Sequence, residues 1–424
     1  MGDPVYFLNL KIEKYRCFGD KQVLDLSDGE GNWKKWTVIL GDNGTGKTSL
    51  LEILTGAETQ EEKMSDGMVY LPKIWPHDQD PQNAKEGGSC SIALSILNTN
   101  RKRSNETIIY LFRDGGVSVG VLSEETKELK CFGYGANRKM GSGGLSKLLN
   151  NNSETLFNED AKLINAEEWL LQLDYAASKD SPVQMFAIEK RDQVKQILID
   201  LLPDIEEIRF TEPTKESLKS TVEFQTPFAW ISIQQLSLGY KTMVTWIVDL
   251  AARMFERYPD SQNPLGEPGI VLVDEIDLHL HPKWQRKIFD YLSEKFPQTQ
   301  FIVTAHSPLI VQSAPKDANI VLLRKEADQV VIDNDIKSVQ NWRIDQILTS
   351  DLFGLESARG TEAEKKLEER KQLLAKDKLT KEEKERLNEL DSFANRLPVA
   401  YNHDEREAMN IVQEAAEYLK NKKK

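Results

Sequence analysis

The stretch GDNGTGKT, Gly41 to Thr48, stands between the apolar run WTVIL and the run SLLEILTG. Glycines at 41, 44 and 46 free the backbone to turn with its amide groups pointing inward, a path that side chains resist. The run before the loop reads as a buried strand and the run after it as a helix. The loop is therefore placed at a strand end with a helix N-terminus pointing at whatever it wraps. This fits a phosphate cradle of the GxxxxGKT type, with Gly41, Asn43, Gly44, Thr45, Gly46 and Ser49 around the ligand. Lys47 supplies a cation for the β- and γ-phosphates, and the Thr48 hydroxyl a ligand for Mg²⁺. Such a loop commits the chain to an α/β sheet whose strand ends converge on one edge.

More than two hundred residues downstream, VDEIDLHLHP places Asp274, Glu275 and Asp277 beside His279 and His281, two of only five histidines in the chain. Alone, that cluster suggests a transition-metal site. The phosphate loop gives it a different identity. GIVLVDE and QFIVTAHS are continuous apolar runs ending in polar residues, as central strands of a covered parallel sheet do. An acidic pair at the end of such a strand lies where ligands bind: Asp274 helps to hold Mg²⁺ and Glu275 polarises the attacking water. Mg²⁺ prefers oxygen donors, which leaves His279 and His281 without a direct role; with Pro282 behind them they read as a turn that could line a subunit interface. His306 ends the second run, where a lone histidine is usually structural. LSLGY, before a long apolar helix, offers Ser237 as N-cap and Gly239 as a point of close approach, a second anion site at a helix start.

Around these motifs the pattern divides the chain into four parts. Residues 1–145 carry the phosphate loop and an antiparallel-looking set of strands, among them SIALSIL, TIIYLF and GVSVGVL. Residues 146–202 turn helical, with AEEWLLQLDYAA and EKRDQVKQILIDLL at three- and four-residue apolar spacing. Residues 203–339 return to the core with the LSLGY, VDE and THS motifs and end in the strands ANIVLLRK and QVVID. Residues 340–424 are helical and highly charged, with TEAEKKLEERKQLLAKDKLTKEEKERLNEL resembling a helical hairpin.

A net charge of −13 argues against a surface that binds nucleic acid everywhere. It leaves open a local basic patch at Arg101, Lys102 and Arg103 or at the Lys-rich C-terminus, although a solvated loop and a frayed tail are the favoured readings of the two clusters. Cys17, Cys90 and Cys131 lack metal-knuckle spacing, and the N-terminus lacks a signal peptide, so a reduced, cytoplasmic setting is expected. No uncharged apolar stretch approaches the ~20 residues that span a bilayer.

Taken together, GDNGTGKTSLLEIL, LSLGYKT, VLVDEIDLHLHPKWQ and FIVTAHSPLIV resemble the ATP-binding-cassette ATPases related to the RecF, SMC and OLD proteins. FGYGANR and WRIDQILTSDLFGL further resemble the PtuA ATPase family of Septu-type antiphage defence. The resemblance implies an α/β cassette head: a mixed sheet with a P-loop core and an antiparallel β part, a helical insertion and a helical C-terminal region. It implies ATP and Mg²⁺, a catalytic role for His306, a homo-oligomer of at least two subunits in which Ser237 and Gly239 contact nucleotide in trans, and an HNH-type nuclease partner. DNA would be met directly or through that partner; no membrane is involved. The HLHP segment resembles the family's D-loop near the dimer interface. Leu238 and Tyr240 depart from LSGGQ, and no strand-ending glutamine stands out between residues 60 and 200 for the family's Q-loop. Arg138 in GANRK is a candidate basic residue there, and Tyr15 or Phe18 either stacks on adenine or belongs to the core. A repair ATPase that holds DNA itself is the alternative class. A nuclease of OLD type would need a Toprim pattern, and the only DND, at Asp333 and Asp335, reads as a turn.

Overall fold

The computed structural model describes residues 4–64, 67–72, 90–99, 106–113, 116–120, 129–142, 152–215, 218–337, 339–355, 357–376 and 378–397. The basic cluster 101–103, His77, His403 and the Lys-rich C-terminus lie outside them. In chain order the N-terminal half runs β1 (Val5–Glu13), β2 (Gln22–Asp25), β3 (Trp36–Gly41), α1 (Lys47–Gly56), β4 (Thr59–Met64), β5 (Gly67–Pro72), β6 (Cys90–Asn98), β7 (Glu106–Arg113), β8 (Gly116–Gly120) and β9 (Cys131–Tyr134). Helices α2 (Glu154–Phe157), α3 (Ala166–Ser178) and α4 (Gln184–Leu201) follow, then β10 (Glu207–Phe210), β11 (Val222–Gln225), β12 (Trp230–Ser232) and α5 (Leu238–Arg257). The remainder is β13 (Gly269–Val273), α6 (Pro282–Gln285), α7 (Ile288–Lys295), β14 (Thr299–Thr304), α8 (Pro308–Ser313), β15 (Asn319–Glu326), β16 (Gln329–Asp333), α9 (Ile344–Leu348), α10 (Thr361–Leu374) and α11 (Lys381–Arg396).

The central sheet has the order β16-β15-β3-β14-β13-β9. All its pairings are parallel except β15 with β16. Strands β3, β14, β13 and β9 are buried on both faces, and alternation assigns their side chains to one of two cores. Val38, Val271, Val273, Phe301 and Val303 join the core that includes α5, whereas Ile39, Ile270, Leu272 and Ile302 join the core that includes β1 and α1. Each fully buried aliphatic side chain contributes about 1.5–3 kcal/mol, so a polar residue inside β13 would be costly; polarity starts at Asp274, one residue past the strand. The expected architecture is present: this mixed sheet, a separate antiparallel sheet of order β2-β1-β6-β7-β8, and the helices between.

Helix α5 carries a buried ion pair in the first core. Arg253 Nε donates to Asp249 Oδ2 at 2.6 Å, and the Tyr134 hydroxyl donates to the same oxygen at 3.0 Å. Burial and the adjacent Asp249 push the Tyr134 phenol well up, which keeps it a donor. The bond ties α5 to β9, the edge strand beside β13.

The chain divides into two compact units, Met1–Phe353 and Gly354–Lys424. In the second, α10 and α11 are bridged by Arg370 to Asp391 at 2.6 Å and Arg386 to Glu369 at 2.8 Å. These exposed pairs contribute little stability each and leave the helices strongly charged outward.

Candidate functional site

Strand β3 is buried up to Leu40 and delivers the chain to Gly41, where the loop departs. Gly44 and Gly46 have φ of 75° and 86°, the left-handed region that other residues avoid. At Gly46 a Cβ would lie 2.6 Å from Cys17 Sγ, so the loop also lacks room for one. Thr45 is buried, and both its N–H and its hydroxyl donate to the Asp42 carbonyl, at 3.3 and 2.8 Å. Lys47 Nζ donates to the carbonyls of Gly41 and Asp42 at 2.8 and 2.9 Å, lying across the mouth of the loop. Burial lowers its pKa, and Asp274 and Glu275 oppose that shift. An anion seated in the loop would supply the charge that this partly desolvated ammonium lacks.

The acidic segment is fixed from three sides. The Asp274 amide donates to the Tyr134 carbonyl at 2.8 Å, and the Glu275 amide to Thr304 Oγ1 at 2.7 Å. Thr304 in turn donates to Asp274 Oδ1 at 2.6 Å, and Thr48 donates to Asp274 Oδ2 at 2.7 Å. Asp274 is thereby held between the hydroxyl that opens α1 and the hydroxyl that ends β14. The Thr48 hydroxyl and the Asp274 carboxylate are both oxygen donors beside the phosphate loop, a set suited to Mg²⁺. Glu275 has φ 48°, a left-handed conformation costing about 1–2 kcal/mol for a residue with a Cβ. Two residues on, both Asp277 carboxylate oxygens accept from the His306 amide at 3.2 and 3.3 Å, and the His306 side chain is exposed.

These groups border one cleft of about 410 Å³, lined by the phosphate loop and the start of α1, by Asp274, Glu275 and His306, and by Arg16 and Cys17. The cleft opens where β3, β13 and β14 end, the edge at which open α/β sheets bind ligands. Arg16 was not singled out in the sequence. It sits in a tight turn with φ 50°, donates to Ser49 Oγ at 2.6 Å and pairs with Glu52, so it adds a second cation to the rim. Tyr15 is half-buried against the second core, and Phe18 is buried in it.

Ser237 and Gly239 do not line this cleft. Ser237 is exposed and caps α5, accepting from the Tyr240 amide at 3.4 Å. Gly239 passes so close to the His279 carbonyl that a Cβ would lie 2.4 Å from its oxygen. The structure thus sets the LSLGY turn against the HLHP turn of the same chain. His279 is exposed with φ 64°, and His281 Nδ1 accepts from the Lys283 amide at 3.3 Å, capping α6. Among the described residues no group of three histidine, cysteine, aspartate or glutamate side chains is placed to hold a metal ion. Arg138 lies behind the acidic segment: its guanidinium donates to the carbonyls of Asp274 and Glu275 at 2.6 and 2.9 Å.

A family model described as "AAA domain" matches residues 9–219, and one described as "AAA domain, putative AbiEii toxin, Type IV TA system" matches residues 139–312. Septu protein PtuA of Bacillus mycoides (strain KBAB4) is 27% identical over 357 residues, 81% of this chain and 45% of that protein. Retron Vc95 probable ATPase of Vibrio cholerae serotype O1 biovar El Tor is 48% identical over 87 residues, 20% of this chain and 17% of that protein. The chain therefore spans less than half the length of these relatives. Among solved structures, the SmcHead bound to the C-winged helix domain of ScpA aligns with 77% of this chain and 97% of that one at a TM-score of 0.47 and 17% identity.

Proposed function

We propose that this chain, a P-loop ATPase of the ATP-binding-cassette type that resembles the Septu protein PtuA, binds ATP with Mg²⁺ in the Lys47 cleft and hydrolyses it. The carrying observation is the Thr48–Asp274 hydrogen bond of 2.7 Å, which joins the phosphate loop to the acidic strand end in one cleft. Lys47 would leave its loop carbonyls to offset phosphate charge, and the loop amides of Asn43 to Thr48 would cradle the phosphates. Thr48 and Asp274 would hold Mg²⁺, which when bound neutralises charge between the phosphates. In this reading Glu275 is the base that orients the attacking water, and His306, which lines the same cleft, would contact the terminal phosphate.

Two such chains enclose the nucleotide in this reading. Ser237 and Gly239 lie outside their own chain's cleft, and Leu238 between them is 61% exposed. A helix start presented in this way suits a phosphate held by a second copy. From the resemblance to PtuA we take the further role: a defence ATPase whose nucleotide state governs a partner nuclease of HNH type.

Two substitutions test the site. Lys47→Ala removes the cation and should weaken ATP binding at least about tenfold. Glu275→Gln keeps shape without basicity; it should bind ATP as tightly as the wild type and turn over about a hundredfold more slowly. Turnover by Glu275→Gln close to wild type, read by phosphate release, removes Glu275 as the base.

A further inference from the structure

Arg138 is among the most buried charges of the described residues, 4% exposed, on the segment that leaves β9 beside β13. Its neighbourhood is specific. One terminal nitrogen donates to the Asp274 carbonyl at 2.6 Å and the other to the Glu275 carbonyl at 2.9 Å, while Nε has no partner. An arginine that makes only two backbone contacts and leaves a buried N–H unpaired is poorly explained by stability alone, because an unmet buried donor is costly. Its two acceptors are consecutive carbonyls at the point where the strand ends and Glu275 takes its left-handed turn. The Glu275 amide is already held by Thr304 and the Asp274 amide by Tyr134. Arg138 supplies a restraint on the carbonyl side of the same two residues.

We infer that Arg138 is a positioning residue for ATP hydrolysis: its planar fork locks the Asp274–Glu275 peptides so that the Glu275 carboxylate is aimed at the attacking water. The inference rests on the reading of Glu275 as base. The fork geometry is the essential property, since two carbonyls on adjacent peptides must be met at once and a lysine ammonium can satisfy them only at the expense of reach. Burial pushes the guanidinium down to about 10, with Asp274, Asp277 and Glu275 opposing, so it stays charged at neutral pH. The residue approaches the site from behind and touches no atom that reacts; its effect must appear in turnover, not in nucleotide affinity.

The experiment compares wild type, Arg138→Lys, Arg138→Gln, Glu275→Gln and the Arg138→Lys/Glu275→Gln double variant in the full chain. Equilibrium binding of ATP with Mg²⁺ and steady-state phosphate release are measured on each. Expected are a kcat at least tenfold lower in Arg138→Lys and lower still in Arg138→Gln, with ATP Kd within threefold of wild type. In the double variant, Arg138→Lys should add nothing to the Glu275→Gln defect, because a residue acting through Glu275 has nothing left to position. A kcat for Arg138→Lys within twofold of wild type, a parallel loss of ATP binding, or full additivity with Glu275→Gln overturns the assignment. Failure of the base reading is seen separately, as normal turnover by Glu275→Gln alone.

Discussion

Asp277 holds the His306 amide, and burial raises its carboxyl pKa above the usual 3.8, with the His306 contacts and Arg138 pulling the other way. A carboxyl with a raised pKa binds its proton more tightly in the folded state than in the unfolded one. Its contribution to stability is therefore fully present below the unfolded value and is lost as pH rises through the folded value. Asp277→Asn keeps an oxygen for the His306 amide and removes the titration. Melting temperatures of nucleotide-free protein, followed upward in pH from the usual carboxylate range, should shift in favour of Asp277→Asn as pH rises. Parallel curves for the two proteins would show that Asp277 pays no burial cost. How well such residues could be read in the sequence depends on how local their partners are. The phosphate loop declares itself because its glycines, Lys47 and Thr48 act within eight positions. Asp274 was legible because polarity begins abruptly after a buried strand. Thr304 and Arg16 were not legible, since a threonine in a strand or an arginine in a turn has no local mark; contacts from 30 and 33 positions away define them.

At the scale of elements, the strands β3, β13 and β14 were readable because burial on both faces demands unbroken apolar runs. Their order was not. β3 lies between β14 and β15, which are more than two hundred residues distant, and only packing of the completed sheet selects that arrangement. β9 is four residues long and gives no pattern that would place it next to β13, yet that pairing carries Arg138 to its position. The N-terminus of α5 has a functional consequence of its own. If Ser237 serves the phosphate loop of a second copy, Lys47→Ala and Ser237→Arg damage opposite halves of one composite site. A closed two-fold dimer mixed from both variants then contains one intact and one doubly damaged site. Mixing the two inactive proteins one to one should restore roughly a quarter of wild-type phosphate release, the statistical yield of such sites. No recovery where heterodimers are demonstrated by tagged co-purification excludes independent sites completed in trans.

At the scale of the whole molecule, the proposed role assigns any cutting of nucleic acid to a partner and not to this chain. Hydrolysis of a phosphodiester calls for metal ions held beside the scissile phosphate by clustered carboxylates or histidines. The described residues offer a pair of oxygen donors suited to Mg²⁺ at Thr48 and Asp274, inside the nucleotide cleft, and no group of three histidine, cysteine, aspartate or glutamate side chains placed to hold a metal ion. A net charge of −13 also disfavours general attraction to a polyanion. From the resemblance to PtuA we expect the purified chain, supplied with ATP and Mg²⁺ or Mn²⁺, to release phosphate and leave DNA intact. Cutting should appear when an HNH-type partner is added. The separate charged unit from Gly354 onward is the docking surface we favour for that partner, because its helices present carboxylates and ammonium groups outward. Ending the chain at Gly360 removes α10 and α11 and leaves the cleft residues in the other unit untouched. ATP affinity should then stay within about threefold of the full chain, while pull-down of the partner drops at least about tenfold. Robust cutting that follows the chain through purification, and persists in Glu275→Gln, would place a nuclease centre in this polypeptide and end the proposed division of labour.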